Sequence, residues 1–429
     1  MRVKYGRHRL ENGLTILLCE TPHLPLVTLG AFVVAGSDQN PAGHPGLAAL
    51  VSHLLDEGTE SRSSEQISEL IEQTGGSLSS FCDRELSGLT LSSRSETFDT
   101  LLELTEEMLR RPAFLEDRLE REREKMLSRL RSMRDDPQIM ASALLQQQIF
   151  GGTPLEHPVL GTPESLSRLG SREVREFHRR KFSPENTILV VVGAVCEGEA
   201  LSKCRERFSG WSNSSYLRTV FPSMRRQTQP VTIDYEMDKE QVTILVGHLG
   251  VRRQNPDYHA LQLLDVILGN GPGFTSRIPR RLRDELGLAY TAYGAVSASS
   301  GLYPGCFLAA ITTSPERRQQ ALDGLLLEIR HLAEDGVTAE ELSVAREFLT
   351  GSFVFEFQSN AGIAQFLLTG ELFHLGEDYA ERYPAMIAAI GPEEVSRVAR
   401  KYLDTINYTT IVVGPSDKII SHAPRPYSP

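Results

Sequence analysis

The chain repeats itself. Slid along itself by 221 residues, Gly170, Glu173 and Val174 fall on Gly391, Glu394 and Val395, while Asn186, Val191, Val192 and Gly193 fall on Asn407, Val412, Val413 and Gly414. Each copy reads as a polar-capped helix, a short connection carrying asparagine, and a β-branched strand closing on glycine. Near the start of each half, Val27-Thr28-Leu29 and Val242-Thr243-Ile244 open a similar strand at an offset of 215, so small net insertions separate the copies, as in a diverged duplication. Chance sharing of strand-helix-strand patterns explains less, because both glycines and the asparagine coincide. A chain of 429 residues is long for one domain and comfortable for two, each able to bury its own core. The expected division is residues 1–210, a linker at 211–230 rich in Ser, Asn, Thr, Gln and Pro, and residues 231–429. Strand signals at Leu14 to Cys19, Val27 to Ala35, Leu86 to Leu91 and Ile188 to Val192 alternate with long amphipathic helices. The expected class is α+β: two homologous domains, each a mostly antiparallel sheet with helices on one face.

Charge and composition exclude several functions. With 56 acidic against 45 basic residues the net charge is -11, unfavourable for a phosphate backbone, and the arginines from Arg277 to Arg283 are interleaved with acids. No nucleic-acid partner is expected. No apolar run is long enough to span a bilayer. Cys19, Cys82, Cys196, Cys204 and Cys306 are odd in number and lack C-x-x-C spacing, so they read as buried or half-buried thiols. The segment Met1 to Arg9 has no apolar stretch of a secretory signal, so a cytoplasmic location is expected, or a periplasmic one if a leader has been removed.

In Gly46-Leu47-Ala48-Ala49-Leu50-Val51-Ser52-His53-Leu54-Leu55 the apolar residues at 47, 50, 51, 54 and 55 follow helical spacing, leaving Ala49, Ser52, His53 and Asp56 on the other face. With Ala35-Gly36-Ser37 upstream and Glu57-Gly58-Thr59 downstream, this segment resembles the zinc helix of the insulinase/pitrilysin-type (inverzincin) metallopeptidases, mitochondrial processing peptidase among them, which carries H-x-x-E-H there. The resemblance covers nearly the whole chain, including His157-Pro158-Val159-Leu160-Gly161-Thr162, Phe177, Asn186 and Gly193. Laid on that frame, Ala49 replaces the first histidine, Ser52 replaces the glutamate, and only His53 survives. The family's third ligand is a glutamate on a later helix. Counted from His53 or from Pro137, its position is held by Arg129, while Glu122 matches a second acidic position. That helix, Glu116 to Arg134, should end at Asp135-Asp136-Pro137.

A peptidase zinc site needs three protein ligands, a water and a base. Here one ligand remains, and the Arg129 guanidinium cannot deprotonate to accommodate a cation. No cofactor is therefore expected in this chain; zinc is expected in an active partner. Arg129 is expected to pair with Glu122 across the vacated site. His53 reads as an ordinary packed side chain, with residual metal binding alongside His44, Asp56 or Glu122 as the other option.

In the second half, Leu282-Arg283-Asp284-Glu285-Leu286-Gly287-Leu288-Ala289-Tyr290 is similar to the family's arginine and tyrosine pair, which hydrogen-bonds substrate near the scissile carbonyl; the resemblance implies that role for Arg283 and Tyr290. A guanidinium and a phenol can both donate to a carbonyl oxygen. The alternative is a packed helix-end arginine and a strand tyrosine. Gly269-Asn270-Gly271-Pro272-Gly273 lacks any phosphate-loop spacing and reads as a turn needing φ > 0, or as the substrate-sensing loop of some non-catalytic family subunits. Active members carry asparagine where Ser79 stands. The family builds its chamber from four homologous domains and this chain supplies two. The resemblance thus implies a sibling subunit with intact H-x-x-E-H, and extended peptide substrates bound partly by strand addition. The reading is the non-catalytic subunit of a heterodimeric zinc endopeptidase, with no catalytic residue in this chain alone; the alternative is an inert structural or peptide-binding homologue.

Overall fold

The computed structural model describes residues 3–217, 224–272, 275–297 and 299–415; residues 218–223 of the expected linker and Gly273 lie outside the described residues. Eleven strands are described: β1 (Gly6–Arg9), β2 (Thr15–Glu20), β3 (Leu26–Val33), β4 (Ser77–Cys82), β5 (Ser87–Arg94), β6 (Thr187–Gly193), β7 (Val231–Glu236), β8 (Val242–Leu249), β9 (Thr291–Ala295), β10 (Cys306–Thr313) and β11 (Thr409–Gly414). They form two sheets, ordered β1-β2-β6-β3-β5-β4 and β7-β11-β8-β10-β9. Without β1 the two orders are the same. Each sheet has one parallel pair, β2 with β6 and β7 with β11, and is antiparallel elsewhere. The architecture is α+β in two homologous domains, and the matching strand order carries the duplication.

The compact units do not follow the halves of the sequence. One comprises residues 1–131, 157–221 and 355–378; the other comprises 132–156, 222–354 and 379–429. Each half lends one helix to the other half's sheet. In the second unit, Pro137–Phe150 lays Met140, Ala141, Leu144 and Leu145 against Leu245, Ala310, Ile411 and Val413. In the first, Asn360–Phe373 buries Ile363, Ala364, Phe366, Leu367 and Leu368. Arg7 pins that helix by a fork to Glu371 (2.7 and 2.8 Å), and Thr21 donates to Asn360 at 2.9 Å.

Burial explains the exchange. Every residue of β6 and β8 is buried, so these strands need cover on both faces. Helices native to each half cover one face, as expected, and the single lent helix covers the other. The expected boundary at 211–230 is therefore corrected: it divides the sequence repeat but not the two cores.

The lending starts where proline was expected to stop a helix. Glu116–Arg134 ends there, and the Asp136 side chain caps the next helix by accepting from the backbone N–H groups of Gln138 (2.8 Å) and Ile139 (3.1 Å).

Candidate functional site

The short helix Leu47–His53 begins at Gly46, whose φ of 89° and whose closeness to the Leu160 carbonyl, 2.6 Å from where a Cβ would lie, leave room only for glycine. The face opposite the apolar stripe is largely buried as well. Leu47 through Ser52 are all buried, with Ala49 and Ser52 at 0% exposure, because the helix packs over β4 and β5 as well as its own domain's helices. The Ser52 hydroxyl donates back to the Ala48 carbonyl at 2.8 Å and lies within hydrogen-bonding reach of the Cys82 thiol. Neither position offers a metal donor.

His53 is the exception, at 16% side-chain exposure, and its Nδ1 lies 3.1 Å from Glu122 Oε1. An ionised carboxylate only accepts, so Nδ1–H donates. A metal-bound imidazole uses the same carboxylate arrangement to fix its ring. His53 thus keeps its orienting partner although the other ligand positions are gone. Burial opposes the Glu122 carboxylate, but hydrogen bonds from His53 and Lys125 outweigh it and hold the group below its ordinary range.

Glu122 does not pair with Arg129. Its second oxygen is held by Lys125 Nζ at 2.9 Å, one turn along the same helix, whereas Arg129 lies two turns on, about 10 Å along the axis. Arg129 is exposed and makes no ion pair among the described residues. Lys125 also reaches Glu57 at 3.2 Å, and Arg118 joins Glu57 (3.4 Å) to Glu65. The vacated motif is therefore bordered by a ladder of alternating charge. Lys125, three residues after Glu122, is the member that helical spacing alone could have flagged.

These residues do not fit zinc. Beyond one imidazole nitrogen, the motif presents a methyl group, an engaged hydroxyl and an exposed guanidinium; His44 bonds within its own turn to the Ala42 carbonyl. Among the described residues no group of three His, Cys, Asp or Glu side chains could hold a metal ion.

Asp56, half-buried beside the Ser80 hydroxyl, has its carboxyl pushed up to about 6, chiefly by burial. A carboxyl raised in the folded state is protonated there while still ionised in the unfolded chain, so its contribution to stability falls as pH rises through 6. Asp56→Asn, which mimics the protonated form, is expected to stabilise the chain by roughly 1–3 kcal/mol at pH 8 and to change little at pH 4. Urea unfolding at the two pH values checks this; an equal effect at both would contradict it.

In the second unit, Arg283 lies in the π-helical turn Pro279–Glu285 and Tyr290 directly precedes β9. The link between them is firmly built. Gly287 adopts φ 58°, the Leu288 N–H donates to the Leu282 carbonyl at 2.8 Å, and the Thr313 hydroxyl donates to the Leu288 carbonyl at 2.6 Å. Leu282 and Leu288 are buried, while Tyr290 stands 87% exposed. Neither Arg283 nor Tyr290 is placed there to support the core. Each arginine of this stretch faces a carboxylate: Arg283 meets Asp284 at 2.7 Å, Arg277 meets Glu341 at 2.6 Å, Arg281 meets Glu285 at 2.6 Å, and Arg280 lies 3.8 Å from Glu285.

A second π-helical turn, Val266–Asn270, leads into the glycine-dense loop. Its described glycines are not the φ > 0 residues expected from the sequence. A Cβ on Gly269 would lie 2.3 Å from the Gly294 nitrogen of β9, so close backbone approach demands the glycine. Ser79 is exposed on β4, an edge strand of the first sheet, and β9 is the corresponding edge strand of the second. None of the five cysteines forms a disulfide among the described residues, and Cys196, expected to be buried or half-buried, is exposed; no helix among the described residues is long and apolar enough to cross a membrane.

Comparison with known proteins gives a consistent result. Residues 15–163 match the family model described as insulinase (peptidase family M16), and residues 168–349 match the one described as the peptidase M16 inactive domain. An uncharacterized zinc protease of Streptomyces coelicolor is 27% identical over 92% of this chain and 87% of its own length. The uncharacterized zinc protease YmxG of Bacillus subtilis is 24% identical over 97% and 99%, respectively. Among solved structures, a peptidase M16 inactive domain from Pseudomonas fluorescens superposes with a TM-score of 0.90 at 23% identity, covering 98% of this chain and all of that one. A protease from Helicobacter pylori superposes at 0.88 with 18% identity, covering 96% and 100%.

Proposed function

We propose that this chain, which belongs to the insulinase-type M16 peptidase family, acts as the non-catalytic subunit of a two-chain zinc endopeptidase. Its sibling would carry the intact H-x-x-E-H motif and the zinc; this chain would contribute substrate contacts. One observation carries the reading: Ala49, Ser52 and Arg129 occupy three motif positions, and the first two are sealed from solvent. In the same chain Arg283 and Tyr290 stand at the surface on a buried, hydrogen-bonded frame. Arg283 and the Tyr290 hydroxyl would donate hydrogen bonds to a peptide carbonyl, stabilising charge that develops on its oxygen. The edge strands β4 and β9 offer backbone groups to an extended peptide.

The test is association. The tagged full chain is expected to retain a homologue with intact H-x-x-E-H and to stimulate its peptide hydrolysis; no association and no stimulation would favour an inert peptide-binding homologue. That second reading draws on the tie between Arg283 and Asp284, which occupies part of the guanidinium.

The purified chain alone is expected to contain no stoichiometric zinc, and Ala49→His with Ser52→Glu is expected not to create a zinc site, because Arg129 stays at the third position and both changes force bulk into sealed space. Elemental analysis reads both proteins. About one zinc per chain in either would contradict the placement of Arg129 at the ligand position.

A further inference from the structure

The helix Ser171–Lys181 forms one wall of a groove of about 820 Å³ that lies wholly within the first unit. Pro41, Leu47, Phe177 and Leu217 give the groove an apolar lining, and five basic side chains of the helix border it against two acidic ones. A chain with a net charge of -11 thus carries a basic concavity.

Both acids are occupied within the helix. Glu173 turns back to accept from the Gly170 N–H at 3.0 Å, and Glu176 is shared by Arg179 and Arg180. The buried Lys181 ammonium is engaged as well, donating to the Gln39 amide oxygen at 3.1 Å and to the Leu217 carbonyl at 2.6 Å. Arg172 and Arg175 differ. Arg172 is exposed and forms no hydrogen bond or ion pair among the described residues. Arg175 Nη2 donates only to neutral acceptors, the Ala113 carbonyl at 2.8 Å and the Phe114 carbonyl at 3.2 Å, with the guanidinium 6.0 Å from the Phe114 ring centre. Its charge is fixed in place and meets no carboxylate. Leu217 adds an apolar element beside these charges. It is 62% exposed, yet its N–H donates to the Arg180 carbonyl at 3.1 Å and its own carbonyl accepts from Lys181, so backbone bonds on both sides hold it there.

Arg172 and Arg175 lie one turn apart, about 4.5 Å along the helix axis, so two carboxylates of a single segment can meet both. A small anion would leave the apolar lining wet. A nucleic-acid backbone would be repelled by the rest of this acidic chain. We propose that the groove is a docking surface for an acidic, amphipathic segment of a partner protein, whose carboxylates meet Arg172 and Arg175 and whose apolar side chains cover Leu217 and the groove lining. The surface is separate from Arg283 and Tyr290, so it stands or falls independently of their role.

The test uses the full chain and a labelled peptide of Glu-Glu-Leu repeats, together with a second peptide in which serine replaces leucine. Binding is read by fluorescence anisotropy. The leucine peptide is expected to bind, to weaken as salt is raised, and to bind at least about 5-fold more tightly than the serine peptide. Arg172→Glu, which disturbs no described hydrogen bond, is expected to weaken the leucine peptide about 5-fold, and Arg172→Glu with Arg175→Glu at least about 10-fold. Leu217→Ser should narrow the gap between the two peptides. Unchanged thermal unfolding ties each shift to recognition; should the double variant unfold earlier, Arg172→Glu and Leu217→Ser decide the matter. Undiminished binding by those two variants would overturn the proposal by placing the peptide elsewhere. Inorganic polyphosphate or the serine peptide binding as tightly as the leucine peptide would also overturn it, by reducing the groove to a patch that attracts any anion.

Discussion

Tyr290→Phe, in a complex of this chain with a zinc-bearing sibling, is expected to lower turnover of a peptide about 100- to 1000-fold, the usual consequence of losing one donor to a developing oxyanion. The substitution removes a single hydroxyl from a side chain that is 87% exposed, so no core packing is disturbed. Association and zinc content of the complex should be unchanged. The loss should fall on kcat and on kcat/KM together, because a hydrogen bond made only in the transition state leaves ground-state binding alone. Wild-type turnover in the Tyr290→Phe complex would remove the reason for assigning this chain a part in the reaction.

Neither half of the sequence is expected to fold alone, although each contains a whole sheet. Residues 231–429 lack Pro137–Phe150, and with it the contacts that bury Leu245, Ile411 and Val413. Losing the burial of those three side chains and of Met140, Leu144 and Leu145 costs on the order of 10 kcal/mol at about 1.5–3 kcal/mol for each large apolar side chain. That is comparable to the whole stability of a domain. Residues 1–210 are in the same position without Asn360–Phe373. Each half by itself should show no cooperative urea transition and should expose apolar surface to a hydrophobic dye, and mixing the halves should restore the transition. Cooperative unfolding of either half alone would show that the lent helix is dispensable.

Much of this was legible in the residues. The repeat is readable because duplicated strands and helix caps keep the same local needs, from the glycine that closes β6 and β11 to the proline and aspartate that separate two helices. The loss of the zinc ligands is readable because ligand chemistry belongs to side-chain type: Ala49 has no donor and Arg129 carries a fixed positive charge whatever surrounds them. Where those side chains sit was not readable. Helical spacing put Ala49 and Ser52 on the face opposite the apolar stripe, yet β4 and β5 bury that face, and a spacing argument cannot see a sheet that arrives from elsewhere in the chain. Glu122 was matched with Arg129 by position along one helix, but His53, brought in from a helix 69 residues earlier, and the nearer Lys125 took its two oxygens. The helix exchange was hidden for the same reason. Pro137–Phe150 and Asn360–Phe373 are apolar wherever they pack, and only the two-sided burial of β6 and β8 decides which sheet receives each of them.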